Sequence, residues 1–349
     1  MPSLVLVVPG RIETRTGGYG YDRRIAEGLR RAGWDVRIAE LDASFPQPTP
    51  AAREQAVRAL AAIPDGRAVL IDGLALGAMP IEAEREQARL RLLALVHHPL
   101  ALETGLDAGT AAMLERSERR ALAAVRRVVV TSQATAATLG RYGVTASRVV
   151  VVEPGTDRAP LAHGSGGPDV HLLCVASVVP RKGHDVLVGA LARMPRDAAW
   201  RLTLAGSLDR DASAVSRLRE MVDAAGLAER VRLAGELDGD RLGAAYDAAD
   251  AFVLATRYEG YGMAVAEAVA RGLPVVSTAT GAIEAIVGRG GVIVPPDDER
   301  ALADALAQVA RADVRARLAV RAREQRTRLP GWDDASRRMA EVVSVEFSR

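Results

Sequence analysis

The chain has 349 residues, too many for one ordinary core and enough for two domains. Half of them are apolar and about a quarter charged, the make-up of a globular protein, but aromatics are only 3%, so the core must be aliphatic. A net charge of +2 with so few aromatics argues against nucleic-acid binding, which needs concentrated basic charge and rings to stack on bases.

The single cysteine, Cys174, precludes an intrachain disulfide, and within LLCVAS it reads as a buried strand thiol rather than a nucleophile. MPSLVLVVPG lacks a basic leader and suits a first strand. No run approaches the roughly 18 apolar residues a membrane span needs, so the expected location is cytoplasmic. The Arg-rich helices leave room for a loose association with the inner face of the membrane.

In chain order, short apolar runs alternate with longer amphipathic ones. Strands are expected at LVLVVPG from Leu4, DVRIAEL from Asp35, AVLIDG from Ala68, RLLALVHH from Arg91, RVVVTS from Arg127 and RVVVVEPG from Arg148. Helices lie between them, including 21–32 and 111–125. Strands apolar on both faces belong to a parallel sheet covered by helices. DRAPLAHGSGGPDV then reads as a linker or boundary loop. The pattern restarts with HLLCVAS from His171, WRLTLAGS from Trp200, RVRLAGE from Arg230, AFVLAT from Ala251, LPVVST from Leu273 and GVIVPP from Gly291, and ends in a helix from Trp332 to Phe347. The expected architecture is α/β: two Rossmann-like, doubly wound parallel-sheet domains, 1–163 and 164–331, with the terminal segment 332–349 packing back onto the first. Such sheets take ligands beyond the carboxyl ends of their strands, and two of them make the inter-domain cleft the natural site.

The richest post-strand segment is RYEGYGMAVAEAVARGLPVVST, residues 257–278. Glu259 precedes Gly260, Tyr261 and Gly262, and a helix is expected from Met263 to Arg271. Free amides at its start suit a phosphate, which the glycines allow to approach closely. Glu267 lies inside that helix among small apolar residues, where a carboxylate can accept two hydroxyl hydrogen bonds, as from a ribose diol.

CVASVVPRKGHDVLV, residues 174–188, reads as strand, basic turn and helix. Arg181 and Lys182 project from the turn. Lys182 is the only lysine among 46 basic residues, and a compact ammonium there suits a pyrophosphate whose departure needs its charge neutralised.

In residues 11–33, Gly17, Gly18 and Gly20 lie between the first strand and a helix, without dinucleotide-binding spacing. Tyr19 and Tyr21 are candidates either to line an acceptor site or to pack on the domain. His97 and His98 follow a strand in ALVHHPLALETG, and adjacent histidines cannot easily chelate one metal. No His or Cys cluster supports a metal in sequence. The acid pairs Asp209/Asp211 and Asp238/Asp240 sit at turn and helix-start signals and are best read as caps.

Glu259-x7-Glu267 within EGYGMAVAEAVARGLPVVST resembles the signature of the retaining glycosyltransferases of family 4, the glycogen-synthase-like and mannosyltransferase-like group 1 enzymes of GT-B fold. The likeness spans nearly the whole chain and is strongest from about 170 to 300. It implies that Glu259 contacts the donor sugar, with Gly260, Tyr261, Gly262 and Met263 beside it, and that Glu267 contacts the ribose. It implies that Lys182 neutralises the leaving diphosphate. The family often has an Arg where this chain has Ser177, and Arg181 is the candidate to supply that charge. Gly17 and Gly18 would border the donor phosphate and the acceptor, Leu237 the base, and Thr280-Gly281 the donor pocket. One histidine would face the transferred sugar, with His98 favoured over His97.

The implied activity is hexosyl transfer from a nucleotide sugar, UDP favoured over GDP, to a hydroxyl acceptor in glycan, glycolipid or small-molecule glycoside synthesis. Retention of configuration is implied, with no cofactor, no metal and no nucleic-acid partner. The alternatives are a sugar-nucleotide epimerase or a phosphorylase on the same scaffold, or a non-catalytic nucleotide-sugar-binding partner.

Overall fold

The computed structural model describes residues 2–195 and 197–346; the expected helix residue Phe347 lies outside them. It divides into two compact units, 1–155 with 330–349, and 156–329. The sequence reading had set the break at 163/164.

The first unit is built on six parallel strands, β1 (Ser3–Pro9), β2 (Asp35–Leu41), β3 (Ala68–Asp72), β4 (Arg91–Val96), β5 (Arg127–Val130) and β6 (Val149–Val151). They lie in the order β2-β1-β3-β4-β5-β6. β1 and β3 are buried along their whole length, as expected of strands covered on both faces. The order reverses between β1 and β3, and Asp72 closes β3 there.

Helix α1 (Gly17–Arg31) follows β1. It starts at Gly17, four residues earlier than the sequence reading placed it. Thr16 Oγ1 accepts from the Tyr19 amide at 3.1 Å and satisfies an amide that would otherwise be orphaned, which lets the glycines enter the helix. Its buried face carries Tyr21, Asp22, Ile25, Ala26 and Leu29. The helix Trp332–Val345 packs on α1. Trp332 meets the Tyr21 ring at 6.1 Å, and Arg24 stacks over Trp332 at 4.9 Å. A Cβ at Gly28 would lie 1.8 Å from Ser336 Oγ, so glycine sets how closely the two helices approach.

The second unit repeats the plan with β7 (Val170–Val175), β8 (Trp200–Ala205), β9 (Val231–Gly235), β10 (Ala251–Leu254), β11 (Val275–Thr278) and β12 (Gly291–Val294). All are parallel, in the order β12-β11-β10-β7-β8-β9, so the reversal falls between β7 and β10. Its core is aliphatic, with Trp200, Tyr246, Phe252 and Tyr261 as the large buried rings. Each buried aliphatic side chain contributes about 1.5–3 kcal/mol. Cys174 is buried in β7, and burial pushes its thiol up to about 12, which suits a structural role.

The Gly- and Pro-rich stretch before β7 is pinned to the second unit. Ala162 N donates to Arg271 O and Gly164 N to Asp247 O, both at 2.9 Å, and His163 Nδ1 lies 2.8 Å from Asp247. Among the described residues no helix is long and apolar enough to cross a membrane.

Candidate active site

In the second unit the loops after β7 and β10 meet at the strand-order reversal, where open parallel sheets bind ligands. After β7 the chain turns through Pro180–Lys182 into helix α2 (His184–Ala192). Gly183 makes that turn in the left-handed region, φ 64°, and a Cβ there would sit 1.9 Å from Ala255 O. Only glycine lets the turn lie against the loop after β10. After β10, residues 255–262 lead into helix α3 (Met263–Ala270), which Gly262 opens at φ 107° with no side-chain cap. The first α3 amides therefore have no cap to satisfy them.

Lys182 Nζ pairs with Glu259 Oε1 in this crossing of loops. Both side chains are largely buried. Arg181 Nη1 donates to Tyr258 O at 3.0 Å, and the Arg257 amide donates to Arg181 O at 2.8 Å. Burial pushes the Glu259 carboxyl up, but Lys182 and Arg181 outweigh it and hold the group below its ordinary value. A buried carboxylate with a fixed cation beside it is paired charge, the condition for keeping ions out of water. Gly281 closes the site from the β11 side: at φ 58°, a Cβ there would lie 2.0 Å from Glu259 O.

Arg257 fastens the two loops together. It grips Asp185 at the start of α2 with two bonds, 3.0 and 2.7 Å, and reaches Asp297 Oδ1 with Nε at 2.6 Å. The sequence reading passed over Arg257. Its signal was the basic residue directly ahead of YEG, which reads equally well as a solvated loop charge.

Glu267 lies one turn inside α3. Tyr246 Oη donates to its Oε2 at 3.0 Å, and Arg271 stacks over the Tyr246 ring at 4.4 Å. Burial raises the Glu267 carboxyl against the pull of Tyr246 and Arg271. Met263 opens α3 and is half-buried, while Tyr261 packs into the core. Ser177 is half-buried in the loop after β7. Leu237 follows β9, at the sheet edge and two strands from β7, where it packs on the core. Asp211 and Asp238 cap helices, accepting from Ala214 N and Arg241 N at 2.9 Å each.

The first unit holds a second cluster at its own reversal. His97, just past β4, places Nε2 3.0 Å from Asp22 Oδ1 and 3.6 Å from Asp72 Oδ2. The Tyr21 ring meets it edge-on at 5.3 Å, and Gly18 lies against the ring, where a Cβ would touch Cδ2 at 3.4 Å. Gly17 opens α1 one residue earlier. Tyr21 is fully buried and donates from Oη to Val152 O at 3.0 Å, so it packs rather than lines a ligand site. His98 Nε2 lies 3.8 Å from Glu103 on its own loop.

Burial and the neighbouring Asp22 charge push Asp72 up to about 7, against the pull of His97. Burial lowers His97, but Asp22 and Asp72 outweigh it and raise the ring above its ordinary value. Asp22 and Asp72 were missed in the sequence. Asp22 was visible as an acid on the buried stripe 22, 25, 26, 29, and Asp72 as the one charge ending an apolar strand. The donor atoms of Asp22, Asp72 and His97 lie within 4.8 Å of one another, a spacing that suits a shared proton or a metal ion.

Comparison with known proteins follows this geometry. A family model described as Glycosyl transferases group 1 matches residues 169–312, and one described as Glycosyltransferase Family 4 matches 70–159. The chain is similar to a D-inositol 3-phosphate glycosyltransferase from Xylanimonas cellulosilytica, 34% identical over 252 residues that cover 66% of this chain and 60% of that protein. It thus spans about 60% of that relative's length. Among solved structures it resembles a sucrose-phosphate synthase from Thermosynechococcus elongatus, with TM-score 0.84 and 23% identity over the whole of both chains. It also resembles HepE of Anabaena in complex with UDP-glucose, with TM-score 0.77 and 18% identity over 98% of this chain and 99% of that one. These structures share its fold.

Proposed function

The chain belongs to the group 1 and family 4 glycosyltransferases and has the GT-B fold, and from that premise we propose that it transfers a sugar from a nucleotide sugar to a hydroxyl acceptor. The observation that carries this reading is the buried Lys182–Glu259 pair where the strand order reverses, with Arg181 and the uncapped start of α3 beside it. That is a concentration of donors suited to a diphosphate. HepE, of like fold, is described in complex with UDP-glucose, which supports UDP over GDP. The relative named for D-inositol 3-phosphate makes a polyol phosphate the first acceptor to try.

In this reading the bond from the anomeric carbon to the diphosphate oxygen breaks as Lys182 and Arg181 neutralise the departing charge. The acceptor oxygen bonds to the anomeric carbon on the same face, and its proton passes to the departing diphosphate oxygen. Configuration is retained and no metal enters. Glu259 accepts from hydroxyls of the sugar, flanked by Gly260, Tyr261, Gly262 and Met263. Glu267, with Oε2 held by Tyr246, takes the ribose diol. Gly17, Gly18, Ser177 and Leu237 are assigned to the periphery of donor binding. Of the two histidines we assign His97 to the substrate, because two buried acids orient it. No side chain is needed as a covalent nucleophile, and the rate gain comes from positioning and electrostatics.

A thermal-shift series with UDP- and GDP-sugars, followed by transfer assays with an inositol phosphate and simple glycosides, tests the reading. A shift by one donor and an α-linked product from an α-linked donor, unchanged by a chelator, are expected. Epimerised donor without acceptor, a requirement for inorganic phosphate, or donor binding with no turnover on any acceptor would each replace it. Full activity in both Glu259→Gln and Lys182→Ala would sink it.

A further inference from the structure

Among the described residues, His97 is the one histidine of five held by two buried carboxylates. Asp22 is fully buried, and its Oδ2 has no hydrogen-bond partner among the described residues. Asp72 spends Oδ1 on the Leu74 amide at 2.7 Å and turns Oδ2 to His97. No Lys or Arg pairs with either acid among the described residues, so His97 is the group available to balance their charge. Burying a carboxylate is tolerable only with such compensation.

The ring's other nitrogen, Nδ1, makes no hydrogen bond among the described residues, and a fifth of the side chain, 21%, remains open to solvent. The titratable groups against the ring are Asp22 and Tyr21 from α1 and Asp72 from the end of β3; His98 follows in the chain, with Glu103 near it. Tyr21 stays neutral, since burial and then the Asp22 charge push its hydroxyl well above its ordinary value. Trp332, behind Tyr21, brings no charge.

We propose that Asp22, assisted by Asp72, is a positioning residue that fixes His97 by Nε2 as a charged imidazolium and leaves Nδ1–H as a donor to a substrate oxygen. This rests on the transferase reading. Asp22 touches no reacting atom; it sets the orientation and charge of the ring that does. Asp72 stands farther from Nε2, and its own carboxyl is easily neutralised, so its share is smaller. When a histidine loses the partner of its second nitrogen, the typical cost at metal sites is about 10–100-fold, and the same order is expected here.

The test follows the His97 ring by NMR and transfer by its pH profile, in the full chain. His97→Ala identifies the resonance. Protonated His97 is the active form, so kcat/KM falls as pH rises through the pKa of the ring. Asp22→Asn removes the attraction, so both the ring titration and the fall in kcat/KM move to lower pH, with kcat reduced roughly 10- to 100-fold. Asp72→Asn moves both in the same direction by less, and it carries the test if Asp22→Asn does not fold. An unmoved titration, a titration that moves while the profile stays, or full activity in His97→Ala overturns the proposal. So does a stoichiometric divalent ion bound through these three residues, shown by metal analysis and its loss in Asp22→Asn. The failure of the transferase reading is separate: then Lys182→Ala and Glu259→Gln keep their activity, while the His97 titration still responds to Asp22→Asn.

Discussion

Each unit puts a buried acid–base cluster where its strand order reverses, and the two clusters differ in what balances the acid. In the second unit the balance is Lys182, paired with Glu259 and helped by Arg181, and together they outweigh burial and hold the Glu259 carboxyl below its ordinary value. In the first unit two acids share one histidine, and burial drives Asp72 up to about 7. One cluster pairs its acid with an ammonium; the other pairs two acids with an imidazole, whose charge pH can change. A fixed cation suits a diphosphate that always carries its charge, and an adjustable ring suits a neutral hydroxyl or ether oxygen.

Substitutions break this comparison unit by unit. Arg257→Ala unfastens the second unit's loops from Asp185 and Asp297. Steady-state kinetics should show kcat down about tenfold through misplacement of Lys182, while the NMR titration of His97 stays as in the parent. Tyr246→Phe removes one hydrogen bond from Glu267. The Kd for donor should rise about fivefold, from about 1 kcal/mol, with little change in kcat, as calorimetric titration with the nucleotide sugar would read. Gly28→Ala presses on Ser336 and loosens the helix that carries Asp22. Denaturant unfolding should show a loss of roughly 1–3 kcal/mol.

The inner strands were legible because parallel strands covered on both faces are apolar along their length, the edge strands such as β2 from shorter apolar runs, and all twelve lie where the runs placed them. Lys182 and Glu259 were legible from residue type, post-strand position and the family likeness. Their pairing was not, since the two are 77 positions apart and only the neighbouring of β7 and β10 joins them. The start of α1 was missed because glycines were read as a loop although Thr16 stood ready as a cap. Asp22 left a signal, an acid on the buried stripe 22, 25, 26, 29, but one easily passed over among the many charged residues of that helix. The sequence left His97 and His98 open, with His98 favoured. The likeness pointed to a histidine after β4, and the fold of α1 adds that His97 lies against the buried Asp22, a contact between residues 75 positions apart.

The most direct test of the central claim is kcat for sugar transfer by Lys182→Ala, measured at saturating donor on protein whose folding matches the parent. A pair that neutralises the leaving diphosphate predicts a loss of about 10²–10³-fold, and a kcat equal to that of the parent chain would contradict it.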